Sequence, residues 1–108
     1  MTPSPGEIWL ADIPYTGGAA SKIRPVLVLW LDAADCVVAA VTSAAPRSST
    51  DVSLANWQAA GLRVISTARL SRLDCLEQIL LLKKLGKISA DDAQLIKQVW
   101  VEQIQLRF

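Results

Sequence analysis

The sequence predicts a mainly β (α+β) domain: a small, twisted β-barrel with a C-terminal helix and a short helical turn between strands. Three observations carry that prediction. Strand-length apolar runs recur from Glu7 to Leu85, rich in aliphatic residues and separated by Gly, Pro, Ser and Asp. A continuous apolar run, Pro25 to Leu31, has the pattern of a central strand buried on both faces. The last segment switches to helical spacing, with Ala93, Ile96, Trp100 and Ile104 on one stripe.

The elements follow in order. Met1 to Gly6 is a Pro/Gly leader, expected to be extended and loosely held. Glu7 to Ile13 is a strand containing Trp9, and Pro14 ends it. Pro14 to Ile23, with Gly17-Gly18, reads as a flexible loop. The Pro25–Leu31 strand starts on Pro25, where a missing N–H is tolerated. Asp32 to Asp35 forms a four-residue hairpin loop, and Cys36 to Ser43 is the return strand. Ala44 to Thr50 is a loop and Val52 to Leu54 a short strand. Asn56 to Gly61 is one helical turn that Gly61 stops. Leu62 to Asp74 alternates imperfectly as a strand, and Lys83, Lys84, Gly86 and Lys87 interrupt the apolar run Leu76 to Leu85. Ser89 with Asp92 resembles a capping box that opens a helix over residues 90–105. Leu95, Val99 and Leu106 form a second, offset stripe, which fits either a wide core face or contact with a partner chain.

Length and composition set the class. At 108 residues, 52% apolar and 19% charged, the chain is one globular domain, residues 1–108, without repeat or linker. A domain this small buries a modest share of its surface, and self-association is one way to cover the rest. The net charge of +1 neither advertises nor excludes a nucleic-acid binder, since a local cation cluster suffices for a short single strand. Cys36 and Cys75 form no CxxC motif and read as reduced, part-buried thiols of a cytoplasmic protein. No run reaches the ~18–20 apolar residues of a membrane span. The chain has no histidine, which removes every mechanism with a His base and argues against a metal centre. Catalysis has to rest on Arg, Lys, carboxylates, hydroxyls or thiols.

Arg24 stands where a Gly-containing loop enters a buried strand, and its planar fork suits phosphate oxygens. Lys22 adds a second charge nearby. The competing reading is that Arg24 pairs with Asp12 and anchors the loop. Thr42 and Ser43 end the next strand; hairpin pairing would bring both hydroxyls near Arg24, though Thr and Ser are also ordinary strand ends. Arg47 lies in the polar loop that follows, and could touch a nucleic-acid backbone or simply be solvated. Arg63 and Arg69 share parity, so they are candidates for one basic sheet face; Arg72 is a further cation on the same segment. Among four tryptophans, Trp9, Trp30 and Trp100 are expected in the core and Trp57 is the best candidate for exposure. Lys83, Lys84 and Lys87 are expected to flank a turn and to solubilise.

Four blocks in order, Gly6-Glu7-Ile8-Trp9-Leu10-Ala11, Arg24-Pro25-Val26-Leu27-Val28-Leu29, Val41-Thr42-Ser43 and Lys83-Lys84-Leu85-Gly86-Lys87-Ile88-Ser89, resemble the MazF/PemK-type toxins. The resemblance implies an SH3-like β-barrel with a C-terminal helix, a homodimer, metal-independent cleavage of single-stranded RNA, and a cognate antitoxin. It puts the catalytic arginine on Arg24 and the catalytic hydroxyl on Thr42. Lys22, Ser43, Arg47 and Arg69 are then the RNA-binding candidates. Attack by a ribose 2′-hydroxyl would leave a cyclic phosphate and a 5′-hydroxyl. This chain departs from members that carry an acidic residue in the first loop, because Pro14 to Ile23 has no Asp or Glu. A CcdB-like, non-cutting gyrase inhibitor of the same fold and an inactive antitoxin-binding member stand as alternatives.

Overall fold

The computed structural model describes residues 2–14 and 20–108. Among them, six strands form one antiparallel sheet: β1 (Glu7–Pro14), β2 (Ser21–Asp32), β3 (Asp35–Thr42), β4 (Asp51–Ser53), β5 (Thr67–Glu77) and β6 (Leu81–Lys87). A single helix, α1 (Ala90–Gln103), follows. The strand order is β4-β5-β3-β2-β1-β6. The expected barrel is not closed by strand pairing, because β4 and β6 are the two edges. The turn over residues 55–61 reaches across to β6 instead, where Gly61 meets the Leu85 and Gly86 backbone.

Val26, Leu27 and Val28 are all buried, as expected for a strand covered on both faces. Side chains alternate across a strand, so the run feeds two cores. Leu27 joins Ile8, Ala39, Val41, Leu54, Leu70 and Ile96 under α1. Val26 and Val28 join Trp9, Ala11, Val38 and Leu76 on the opposite face.

Several boundaries differ from the sequence reading. Pro14 pairs with Ser21, so the loop expected over 14–23 is shorter at both ends; its residues 15–19 lie outside the described ones. Pro25 is the fifth residue of β2, not the first. It is tolerated there because pairing with β3 begins only at Val26. The hairpin loop is two residues, Ala33-Ala34, since Asp32 pairs with Asp35. Ala33 adopts a φ of 53°, and Gln78 holds this turn by donating to the Ala33 and Asp35 carbonyls. The strand expected from Leu62 starts at Thr67, because Gly61 at φ 84° and a Ser66 hydroxyl bonded to the Val64 carbonyl keep 62–66 irregular. Within β5 the register slips between Arg69 and Leu73, a bulge that bends the sheet.

The leader is not loose. Pro3 is buried, the Gly6 N–H donates to Val28 O and the Gly6 carbonyl accepts from Ile88 N–H. Lys83, Lys84 and Lys87 lie on β6 rather than flanking a turn. Lys84 pairs with Glu7 at 2.9 Å, and Glu7 also accepts from Trp9 Nε1 and from the Ser4 N–H. Burial alone would raise the Glu7 carboxyl, but these donors outweigh it and hold the pKa at about 2, below the ordinary 4.5. The folded-state pKa is depressed, so the contribution is present above pH 4.5 and fades as pH falls toward 2. Thermal melts from pH 6 to pH 2 should show a steeper acid limb for the native chain than for Glu7→Gln.

Helix α1 begins where expected and ends two residues early, at Gln103. Ser89 Oγ accepts from the Asp92 N–H. The Asp92 carboxylate, 2% exposed, does not reach back to Ser89 but accepts from Ala55 N and Asn56 N. That pair of bonds ties the helix to the start of the 55–61 turn. Of the offset stripe, Val99 packs on the core while Leu95 and Leu106 are exposed. Two tryptophans exchange their expected places. Trp57 packs against the core, whereas Trp30 is 44% exposed and meets Trp100 edge-on, with ring centroids 6.1 Å apart. Both cysteines are free; Cys36 is buried as expected and Cys75 is exposed. Among the described residues no helix is long and apolar enough to cross a membrane.

Candidate functional site

Strand pairing explains how Arg24 acquires its surroundings. The β2–β3 ladder ends at Val26 opposite Ala40. Continued by two residues, the same register sets Arg24 opposite Thr42, and directly opposed residues share a face. Arg24 also lies opposite Ala11 on β1. The arginine is exposed at the point where β2 outruns β3, while the next residues on both strands are core. A rigid base therefore carries a free guanidinium. The pairing with Asp12 does not occur: Asp12 lies opposite Ile23 and so on the other face, and among the described residues Arg24 makes no ion pair.

Thr42 is half-buried, and its Oγ1 accepts from the Ala44 N–H at 3.2 Å. That bond turns the hydroxyl oxygen toward the chain and leaves its O–H available to donate outward.

Two cavities meet at this pair. One, of about 390 Å³, lies on the Arg24–Thr42 face and is lined by five cations, Lys22, Arg24, Arg47, Arg69 and Arg72, against one carboxylate, Asp74. The near-neutral net charge thus conceals a strongly cationic hollow. The β5 bulge is what brings both Arg69 and Arg72 into it. Asp74 is opposite Val38, four residues along β3 from Thr42 and so about 13 Å away. Among the described residues it makes no ion pair with Arg24.

Arg69 is not a free charge. Its Nε pairs with Asp51 at 3.3 Å, and Asp51 also accepts from the Arg47 N–H at 2.9 Å. Burial alone would raise the Asp51 carboxyl, but those bonds hold it below the usual range. Asp51 in this way fixes the 47–51 loop against β5.

The second cavity, of about 490 Å³, lies round the strand ends and shares only Arg24, Val41 and Thr42 with the first. Ser43 lines it, together with Arg63, Ser66 and Lys83. Sequence reasoning grouped Arg63 with Arg69 on one face; the structure separates them, because Arg63 lies before β5 in the irregular segment. It also grouped Ser43 with Thr42, and the alternation of side chains parts those two as well. Sequence reasoning gave Lys83 no role, and no spacing signal places it here: only pairing with Leu10 on β1 does. Among the described residues no group of three metal-ligating side chains occurs.

A six-stranded antiparallel sheet with one C-terminal helix is a fold found among solved endoribonucleases and toxins. The structure is similar over nearly its whole length to three solved proteins. An endoribonuclease from a mycobacterial species matches with a TM-score of 0.75 and 16% identity, covering 100% of this chain and 96% of the other. A mycobacterial endoribonuclease in complex with its cognate antitoxin gives 0.76 and 17%, covering 98% of each chain. MazF from Deinococcus radiodurans gives 0.68 and 24%, covering 92% and 93%. The sequence itself matches no curated protein significantly. The profile of the PemK-like, MazF-like toxins of type II toxin–antitoxin systems matches residues 4–103, and the chain belongs to that family.

Proposed function

We propose that this chain is the toxin of a type II toxin–antitoxin pair and acts as a metal-independent endoribonuclease on single-stranded RNA. The observation that carries the reading is that Arg24 and Thr42 line the cationic cavity together. The family membership and the endoribonuclease relatives support it.

In this reading the RNA backbone lies across Lys22, Arg24, Arg47 and Arg72, whose charges neutralise phosphates without reading sequence. Arg69 contributes to the wall while held by Asp51. A ribose 2′-oxygen attacks the adjacent phosphorus. The O2′–P bond forms and the P–O5′ bond breaks. The products are a 2′,3′-cyclic phosphate and a 5′-hydroxyl, with the 2′-hydroxyl proton lost to solvent or base and one regained by O5′. Negative charge grows on the non-bridging oxygens as the fifth bond forms. The Arg24 fork takes two of those oxygens, and the Thr42 O–H donates to one of them.

The relatives solved with an antitoxin support an antitoxin as partner here. Exposed apolar side chains, among them Trp30, Val101 and Phe108, support a homodimer. An RNA substrate and an antitoxin partner support a cytoplasmic location.

Purified protein should cut a long single-stranded RNA in excess EDTA; intact RNA under those conditions would defeat the reading. Thr42→Val preserves shape and removes the donor. It should lower the single-turnover rate by about 100-fold, and an unchanged rate would remove Thr42 from the mechanism.

A further inference from the structure

The second cavity differs from the first in chemistry. Its walls include Leu10, Val41, Leu62 and Leu85, and its polar groups among the described residues are hydroxyls and cations with no carboxylate. Apolar walls beside placed polar groups suit a flat heteroaromatic ring better than a bare phosphate. It shares Arg24 and Thr42 with the first cavity, so a nucleotide whose base enters the second would bring its phosphate to those two residues.

The charged groups of this cavity are donors. Arg63 and Lys83 carry only N–H groups, both are exposed, and neither makes an ion pair among the described residues. The Ser66 hydroxyl donates to Val64 O at 2.8 Å, which leaves its oxygen to accept, and the Ser43 hydroxyl can do either. No carboxylate lines the cavity among the described residues. A base that presents two neighbouring acceptors matches this set, and guanine does so with O6 and N7. Adenine sets an amino donor where guanine has O6, which would face Arg63 or Lys83 unpaired.

We propose that this cavity, roofed by Gly61–Ser66, is a nucleobase pocket that selects guanine next to the scissile phosphate, with Arg63 and Lys83 reading its acceptor edge. The proposal rests on the ribonuclease reading and adds the specificity of that site.

The test uses short single-stranded RNAs that differ only in the base adjoining the mapped cut. The readout is the ratio of kcat/KM for guanine over adenine. The native chain should prefer guanine, and Arg63→Gln and Lys83→Gln should each shrink the ratio by about 5- to 100-fold. Both side chains are exposed, and thermal melts confirm that the variants fold. Lys97→Gln, a cation on α1 outside both cavities, should leave the ratio as it was. Native protein that cuts without a guanine preference overturns the pocket. So does a ratio unchanged in both variants, or a uniform slowing of all substrates, which would mark these cations as backbone contacts. Native protein that cuts no RNA overturns the ribonuclease reading instead.

Discussion

Gly61→Ala should destabilise the fold by about 2–5 kcal/mol, the sum of an overpacking cost and a left-handed backbone cost. Gly61 has a φ of 84°, and an added Cβ would come within 2.5 Å of the Leu85 carbonyl carbon, nearer still to its oxygen. The obstacle is backbone, which cannot rotate away as a side chain can. Gly86 meets the same constraint from the other side, since its Cβ would lie 2.5 Å from the Ala60 oxygen. These two glycines let the 55–61 turn lie directly on β6, so the turn rather than a strand pair covers that edge. For a chain of this size the melting temperature should fall by about 8 °C or more. A loss under 0.5 kcal/mol would mean that the turn does not lie on β6 as described. Because Gly61 and Leu85 also line the second cavity, any folded fraction should have lost guanine preference before it loses cutting.

Arg24→Ala should reduce RNA cleavage by at least about 100- to 1000-fold while leaving the melting temperature nearly unchanged. The side chain is exposed and unpaired among the described residues, so its removal leaves no buried group stranded. Arg24→Lys keeps the charge but replaces a planar fork with a point charge, and should recover only part of the rate. Full activity in Arg24→Lys would show that charge alone suffices and that the two-oxygen contact is not needed. A variant that binds RNA as the native chain does but does not cut it would separate the transition-state role from simple attraction.

What could be read from the sequence followed from local pattern. The buried β2 run, the hairpin to β3, the Gly61 stop and the Ser89 cap all depend on residues within a few positions of one another, and each was found. The hairpin made only the neighbourhood of Arg24 legible: the register set by the loop, with Asp32 opposite Asp35, extrapolates to Ser43 opposite Arg24, and the shift between Val28 and Trp30 brings Thr42 there instead. The rest depended on long-range pairing. Nothing local announces the slip in β5 that brings Arg72 beside Arg69. Likewise β6 is a strand because β1 pairs with it, although its three lysines and Gly86 look like a solvated turn. Asp92 looked like a capping-box partner; its true partners, Ala55 and Asn56, are 37 and 36 residues away. Trp30 faces outward because the register shift between Val28 and Trp30 interrupts the alternation that would bury it.

The central claim is that Arg24 and Thr42 drive attack by the neighbouring 2′-hydroxyl. The most direct measurement is the chemistry of the ends left on a defined single-stranded RNA in EDTA. The downstream fragments should accept phosphate from a polynucleotide kinase without prior phosphatase treatment, and the upstream fragments should carry a 2′,3′-cyclic phosphate. An RNA with 2′-deoxyribose at the cut position should remain whole, and Arg24→Ala should yield neither product. Fragments with 5′-phosphates, or cutting at a deoxyribose, would contradict the account.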